Sequence, residues 1–175
     1  QENIFDLRLP AFVTEGKEGG WLSSTEEVPD ILWLKIKDLS PEMSLKMILE
    51  KIKKELFLIY DGKKDKGISF SDSRFTPISE MIERGMVSCG AMSNIFGVVL
   101  RKYGIAVRFI HGILSGQDHE GTHRHAWLEI YNPTSDSWIE IDPTTRNFEK
   151  RDDAIRRKVY HDWLELKPDY EKGQY

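Results

Sequence analysis

The sequence has one cysteine, Cys89, in 175 residues. A lone thiol excludes an internal disulfide framework and leaves the redox compartment open. No apolar stretch approaches the roughly 20 residues that a membrane-spanning helix needs. A basic excess is missing as well: 25 Lys and Arg stand against 29 Asp and Glu, for a net charge of −4 and a pI near 5.8. A phosphate-backbone partner wants a basic face, so nucleic acid is not an expected ligand. Internal repeats and low-complexity tracts are absent too, and no composition break marks a second domain.

Hydrophobic residues at 39% and charged residues at 31% fit one soluble globular domain with a sizeable core. The chain starts at Gln1 rather than Met, so a removed signal peptide or anchor is compatible with it. Residues 1–29 read as an N-terminal arm, with an alternating stretch at 4–9 that suits a short edge strand or an extended arm. Residues 30–175 read as one catalytic-type domain closed by a C-terminal helix.

Along that domain, Ile31, Leu32, Leu34 and Ile36 have helical spacing. Ser40-Pro41-Glu42 is a helix start, followed by Leu45, Ile48, Leu49, Ile52, Leu56 and Ile59 on one stripe. The lysines between them (Lys46, Lys51, Lys53, Lys54) read as the solvated face. Residues 61–73 are loop, and a short helix at 78–84 is stopped by Gly85. The strongest helix runs over 88–103, with Met92, Ile95, Phe96, Val99 and Leu100 on an inward face and Gly104 as its stop. After it the period becomes two. Strands are expected at 105–114, 123–131 and 138–142, with a turn at 132–137. Residues 152–166 have Ile155, Val159 and Trp163 at helical steps, and the residues after Pro168 read as frayed.

Chemistry concentrates between Gly85 and Thr145. Cys89 falls in the first turn of the strongest helix, on its inward face. There the peptide dipoles and unpaired N–H groups favour a thiolate and an oxyanion formed beside it. The plain alternative is a small buried hydrophobe. Strand parity puts His123, His125, Trp127, Glu129 and Tyr131 on one face, and Trp138, Glu140 and Asp142 on one face of the next strand. Matching the apolar faces of the two strands sets His125 and Asp142 on the same side. If Tyr131 pairs with Trp138, Asp142 lies diagonal to His125; a register two residues away puts them directly opposite. A thiol, an imidazole and an orienting carboxylate are the parts of a Cys-His-Asp relay. Parity does not bring Cys89 to His125.

Three blocks in order carry a resemblance: residues 85–108 around Cys89, His125-Ala126-Trp127-Leu128-Glu129-Ile130-Tyr131, and Trp138-Ile139-Glu140-Ile141-Asp142-Pro143-Thr144. Together they resemble the transglutaminase-like superfamily over about residues 30–145, in its compact microbial form. The resemblance implies an α+β fold of the papain-like, transglutaminase-like kind, with the nucleophile on a central helix packed against an antiparallel β-sheet. It implies Cys89 as nucleophile, His125 as general base and acid, and Asp142 as orienting carboxylate. The expected activity is acyl transfer on amide or peptide bonds, as a protease, amidase or transglutaminase, on a protein or peptide substrate and without a cofactor. Trp127 is expected to wall the site, or to be an ordinary half-buried strand aromatic. Tyr60 is placed near the oxyanion, Glu129 and Glu140 as solvated strand residues, and the loop at 112–122 as a flap over the substrate. Two rival readings stand beside this one. One is a metal site on His119, His123 and His125 with Cys89 as a fourth ligand; the other is a non-catalytic binding module that keeps the fold. His111 and His161 read as an ordinary strand histidine and a surface histidine.

Overall fold

A computed structural model describes residues 3–14, 19–63, 73–115 and 123–172. In chain order its helices are α1 (Gly19–Leu22), α2 (Asp30–Ile36), α3 (Leu45–Tyr60), α4 (Ile78–Arg84), α5 (Cys89–Lys102) and α6 (Trp163–Glu171). Its strands are β1 (Val107–Leu114), β2 (His123–Asn132), β3 (Ser137–Ile141) and β4 (Ala154–Tyr160). The strands form one antiparallel sheet in the order β3-β2-β1-β4. Val107 and Phe109 of β1, Leu128 and Ile130 of β2, and Ile141 after them share one core with α5. The fold is α+β, with the cysteine-bearing helix packed on a four-stranded antiparallel sheet.

Two capping devices place the helices. Gly85 takes φ 72°, the left-handed conformation that ends α4, a position that glycine adopts at little cost. Ser88 then caps α5, its Oγ accepting from the Ala91 N–H at 3.3 Å. Only two residues separate the two caps, so the thiol is held at the first helical position.

The long helix before them begins later than Ser40-Pro41 suggests. Ser40 instead closes a turn, accepting from the Glu42 N–H on its side chain and the Met43 N–H on its backbone. Residues 43–45 exchange backbone hydrogen bonds with Leu7 and Leu9, and Ser44 becomes the cap of α3. The same pairing explains residues 4–11. They fold as two 3-10 turns on either side of an Arg8–Ser44 bridge rather than as a regular strand. Phe5 and Phe12 are buried in the common core.

The largest departure is at 152–166, where a helix was expected. Residues 154–160 form β4 at the sheet edge, and the last helix starts at Trp163, capped by Asp162. Arg156, Arg157 and Lys158 are exposed there, which fits the charged edges that keep sheets from pairing with other chains. A strand with few buried side chains shows no period of two. The spacing 155–159–163 therefore imitates a helix by coincidence. Pro168 lies inside α6 and the helix continues to Glu171, so the frayed end expected after Pro168 is replaced by helix.

Arg101 of α5 is 4% exposed and ties three segments together. Its guanidinium donates to the carbonyls of Ser23 at 2.9 Å, Val107 at 2.7 Å and His161 at 2.5 Å. Burial pulls its pKa down to about 10, with Asp162 and Glu165 opposing, so it stays a cation at neutral pH.

Helix α5 approaches β1 most closely at Gly97. A methyl group there would lie 2.4 Å from Cζ of Phe109. That ring is fully buried, edge-on to Trp163 at 5.1 Å between centroids and under the Arg101 guanidinium at 5.1 Å. Gly97→Ala gains about 1 kcal/mol of helix propensity but overpacks a ring that has nowhere to go, a cost of about 1–3 kcal/mol. Overpacking wins: the variant is expected to unfold at lower denaturant concentration than the parent, as read by circular dichroism.

Candidate active site

The site forms where β3 stops. Its pairing with β2 runs from Asn132–Ser137 to Leu128–Ile141 and includes Tyr131–Trp138, the first of the two registers weighed from the sequence. Residues 123–127 of β2 are therefore left without a β3 neighbour on that side. The chain turns away at Asp142, so this carboxylate sits just past Ile141 and diagonal to His125. His125 Nε2 and Asp142 Oδ2 are 2.6 Å apart, and the bond is buried. The other carboxylate oxygen accepts from the Thr144 N–H at 2.9 Å and the Thr144 hydroxyl at 2.6 Å. Asp142 is 0% exposed, and both its oxygens are thus engaged. This accounts for the Asp-Pro-Thr run as a self-bonding turn.

Other groups hold that turn. The Asp142 N–H donates to Phe148 O at 2.9 Å, and the Thr145 hydroxyl donates to Asp142 O and Glu149 O. Lys53 reaches from α3 to donate to Thr145 O at 2.9 Å, with its ammonium 4.8 Å above the Phe148 ring. In sequence Lys53 belongs to the solvated lysine face. Here it is half-buried, and that burial pulls its pKa down against the pull of Asp142.

The free side of β2 is taken up by Cys89. Its thiol interacts with the His125 ring and the Ala126 N–H. With Nε2 given to Asp142, Nδ1 is the ring nitrogen left for the thiol. Burial alone would push the Cys89 pKa up. The His125 hydrogen bond, the Arg74 cation, the His125 charge and the Ala126 N–H outweigh it, and the thiol is held below its ordinary value. His125 shows the reverse balance. Burial would lower it, but the hydrogen bonds to Asp142 and to Cys89 raise it to about 9. Both directions describe a thiolate–imidazolium pair.

The remaining candidates take varied positions. Trp127 is fully buried and stacks with His125 at 5.9 Å between ring centroids, and its indole N–H donates to Glu140 at 3.1 Å. Tyr60 donates its hydroxyl to Met86 O at 3.0 Å, three residues before the thiol. Glu129 is not solvated: it is 3% exposed and paired with Arg156 and Arg108. His111 is buried, and burial with Arg74 and Arg124 nearby takes its pKa down to about 4, so it is neutral. His119 and most of the expected flap lie outside the described residues. Among the described residues no three His, Cys, Asp or Glu side chains are grouped to hold a metal, and His123 is exposed. No helix among them is long and apolar enough to cross a membrane.

Sequence reasoning missed Arg74. It follows a Gly-, Lys- and Ser-rich stretch, in a short 3-10 turn (Ser73–Phe75) packed on α5. It is buried, with its guanidinium 5.7 Å from the Trp163 ring centroid, and its charge acts on the thiol. No local periodicity marks such a residue.

The sequence pattern of the Transglutaminase-like superfamily matches residues 47–143, which include Lys53, the thiol, the imidazole and the carboxylate. No curated protein matches the sequence. The fold is similar to a crystal structure from Cytophaga hutchinsonii described as that of a proposed cysteine protease. Its TM-score is 0.60 at 14% identity, over 91% of this chain and 52% of that one. The chain thus corresponds to about half the length of that protein.

The His125 pair has a pH signature. Its folded pKa of about 9 lies above the ordinary value of 6.5. The stability it contributes is therefore complete below about 6.5 and is lost as pH rises through about 9. In an NMR titration the His125 ring is expected to stay protonated through neutrality. Asp142→Asn removes the strongest group raising it and should move its midpoint downward; an unmoved midpoint contradicts the assignment.

Proposed function

The chain belongs to the transglutaminase-like superfamily, and on that footing we propose that it is a cysteine enzyme cleaving amide or peptide bonds through Cys89, His125 and Asp142. The observation that supports this reading is a single imidazole bonded through Nε2 to a buried carboxylate, with a helix-start thiol acting on the same ring. In the reaction, the Cys89 thiolate attacks the carbonyl carbon. A C–S bond forms as the C=O π pair moves to oxygen. The first N–H groups of a helix have no intrahelical partner, and those of Cys89 and Gly90 are the proposed donors to that charge. Collapse breaks the C–N bond, and the His125 imidazolium gives its proton to the leaving amine. Water then attacks the thioester and loses its proton to His125. The sulfur leaves as thiolate, completing conversion of amide and water to acid and amine.

Asp142 acts throughout by fixing the ring and stabilising its charged form. Trp127, stacked on the ring, limits its rotation and walls the site. Tyr60 supports the backbone leading into Cys89 through Met86; on this reading it shapes the site rather than touching the oxyanion.

Turnover of a peptide-amide library, followed by mass spectrometry of the acyl-enzyme, tests the proposal. Cys89→Ser and His125→Ala should each lower kcat by about a thousandfold or more, and Asp142→Asn by a comparable factor with the fold intact. The profile of kcat/KM should fall on its alkaline side near 9, where His125 loses its proton. Acid product alone in the presence of a primary amine supports hydrolysis, whereas amide product identifies a transamidase. A library that leaves Cys89 unacylated points to a binding module.

A further inference from the structure

Arg74 presents an unusual electrostatic problem. It is 6% exposed, and its Nε has no hydrogen-bond partner among the described residues. A guanidinium stays charged in a dry place only if an anion or a full set of acceptors compensates it. The groups that act on it most strongly are Cys89, Tyr170 of α6 and Arg124 of β2, and none of these is a carboxylate. Arg124 repels it, and His111 on β1 is a neutral imidazole. Glu26 lines the same cavity of about 230 Å³, but its oxygens accept from the Ile78 N–H at 2.7 Å and Asn94 Nδ2 at 2.9 Å. The sulfur is the anion that acts on it, and the turn carrying Arg74 packs on the helix that Cys89 opens.

The position of Arg74 is imposed rather than incidental. Its guanidinium lies over Trp163, and the Trp163 indole N–H donates to Gly90 O at 3.2 Å, in the same helical turn as the thiol. The ring is fixed by α5 and in turn fixes the guanidinium against Cys89.

We infer that Arg74 is the counter-ion of the Cys89 thiolate, a second cation that keeps the sulfur ionised independently of His125. This rests on the reading of Cys89 as the nucleophile. The two cations then divide the work. His125 must release and regain a proton in each cycle, so its charge comes and goes. Arg74 exchanges no proton and is charged whenever sulfur is expelled from the second tetrahedral intermediate. A fixed cation makes the thiolate a better leaving group. It also makes the sulfur a weaker nucleophile, because thiolate reactivity falls with thiol pKa.

Alkylation by iodoacetamide from about pH 4 to about pH 11 reads the thiolate directly, since Cys89 is the sole target. Four proteins are compared: parent, His125→Ala, Arg74→Met and the double variant. His125→Ala, with Arg74 in place, should keep a midpoint below the ordinary value of about 8.5. Arg74→Met should raise the midpoint by about one unit or more, and its plateau rate at high pH should exceed the parent's by about threefold. The double variant should reach or pass about 8.5, since burial alone raises a thiol. A role confined to folding predicts no faster plateau.

If His125→Ala already titrates at or above about 8.5, or Arg74→Met leaves the parent midpoint unchanged, the counter-ion assignment is wrong. Should Arg74→Met not fold by circular dichroism, the His125→Ala midpoint carries the test alone. A midpoint identical in parent and His125→Ala, but raised by Arg74→Met, would instead overturn the His125 relay and leave Arg74 standing.

Discussion

The bond between His125 and Asp142 is the constraint on which the rest of the structure depends. A carboxylate with no solvent exposure is tolerated only when its lone pairs are filled. Here one oxygen is filled by the imidazole and the other by the backbone and hydroxyl of Thr144. None of these partners can shift without stranding charge. The register of β2 against β3 is fixed with them, because a slip of one residue would carry His125 to the opposite face. The turn after β3 is fixed as well, and Lys53 and Phe148 are recruited from distant parts of the chain to hold it.

The two elements that carry the thiol and the imidazole are held by different forces. Helix α5 is placed by packing: its faces are buried almost all round, and Gly97 lets it settle on Phe109. The strand is placed by hydrogen bonding along its ladder. The thiol sits where these two forms of order meet, at the first residue of the helix and beside a stretch of strand that is laddered on one side only. Its ionisation is a contest. Burial favours the neutral thiol, and two cations, an amide and the helix start favour the thiolate. The outcome is a buried polar cluster whose charges compensate one another.

Much of this was legible in the sequence. Helix period put Cys89 at an inward helix start. Strand parity put His125 and Asp142 on one face, and the Tyr131–Trp138 register was one of two that the pattern allowed. These features are local, and a period of two or near four records them. What the sequence did not yield is non-local or of weak amphipathicity. Arg74, Lys53 and the Glu129–Arg156 pair act across distances that no window spans, and each looks like an ordinary surface charge. Strand β4 was hidden because an edge strand with few buried side chains has little alternation. Ser40-Pro41-Glu42 carried a sound helix start, but the N-terminal segment claimed the backbone of residues 43–45 for pairing.

The three carbonyls held by Arg101 come from the segment before α2, from β1 and from the link between β4 and α6. Detaching any one of them leaves a buried guanidinium short of an acceptor, at a cost of about 1–3 kcal/mol. The two ends of the chain are therefore coupled in their opening motions. Amide hydrogens near Ser23 and His161 are expected to exchange with solvent in the same cooperative event as the middle of α5, rather than by independent fraying.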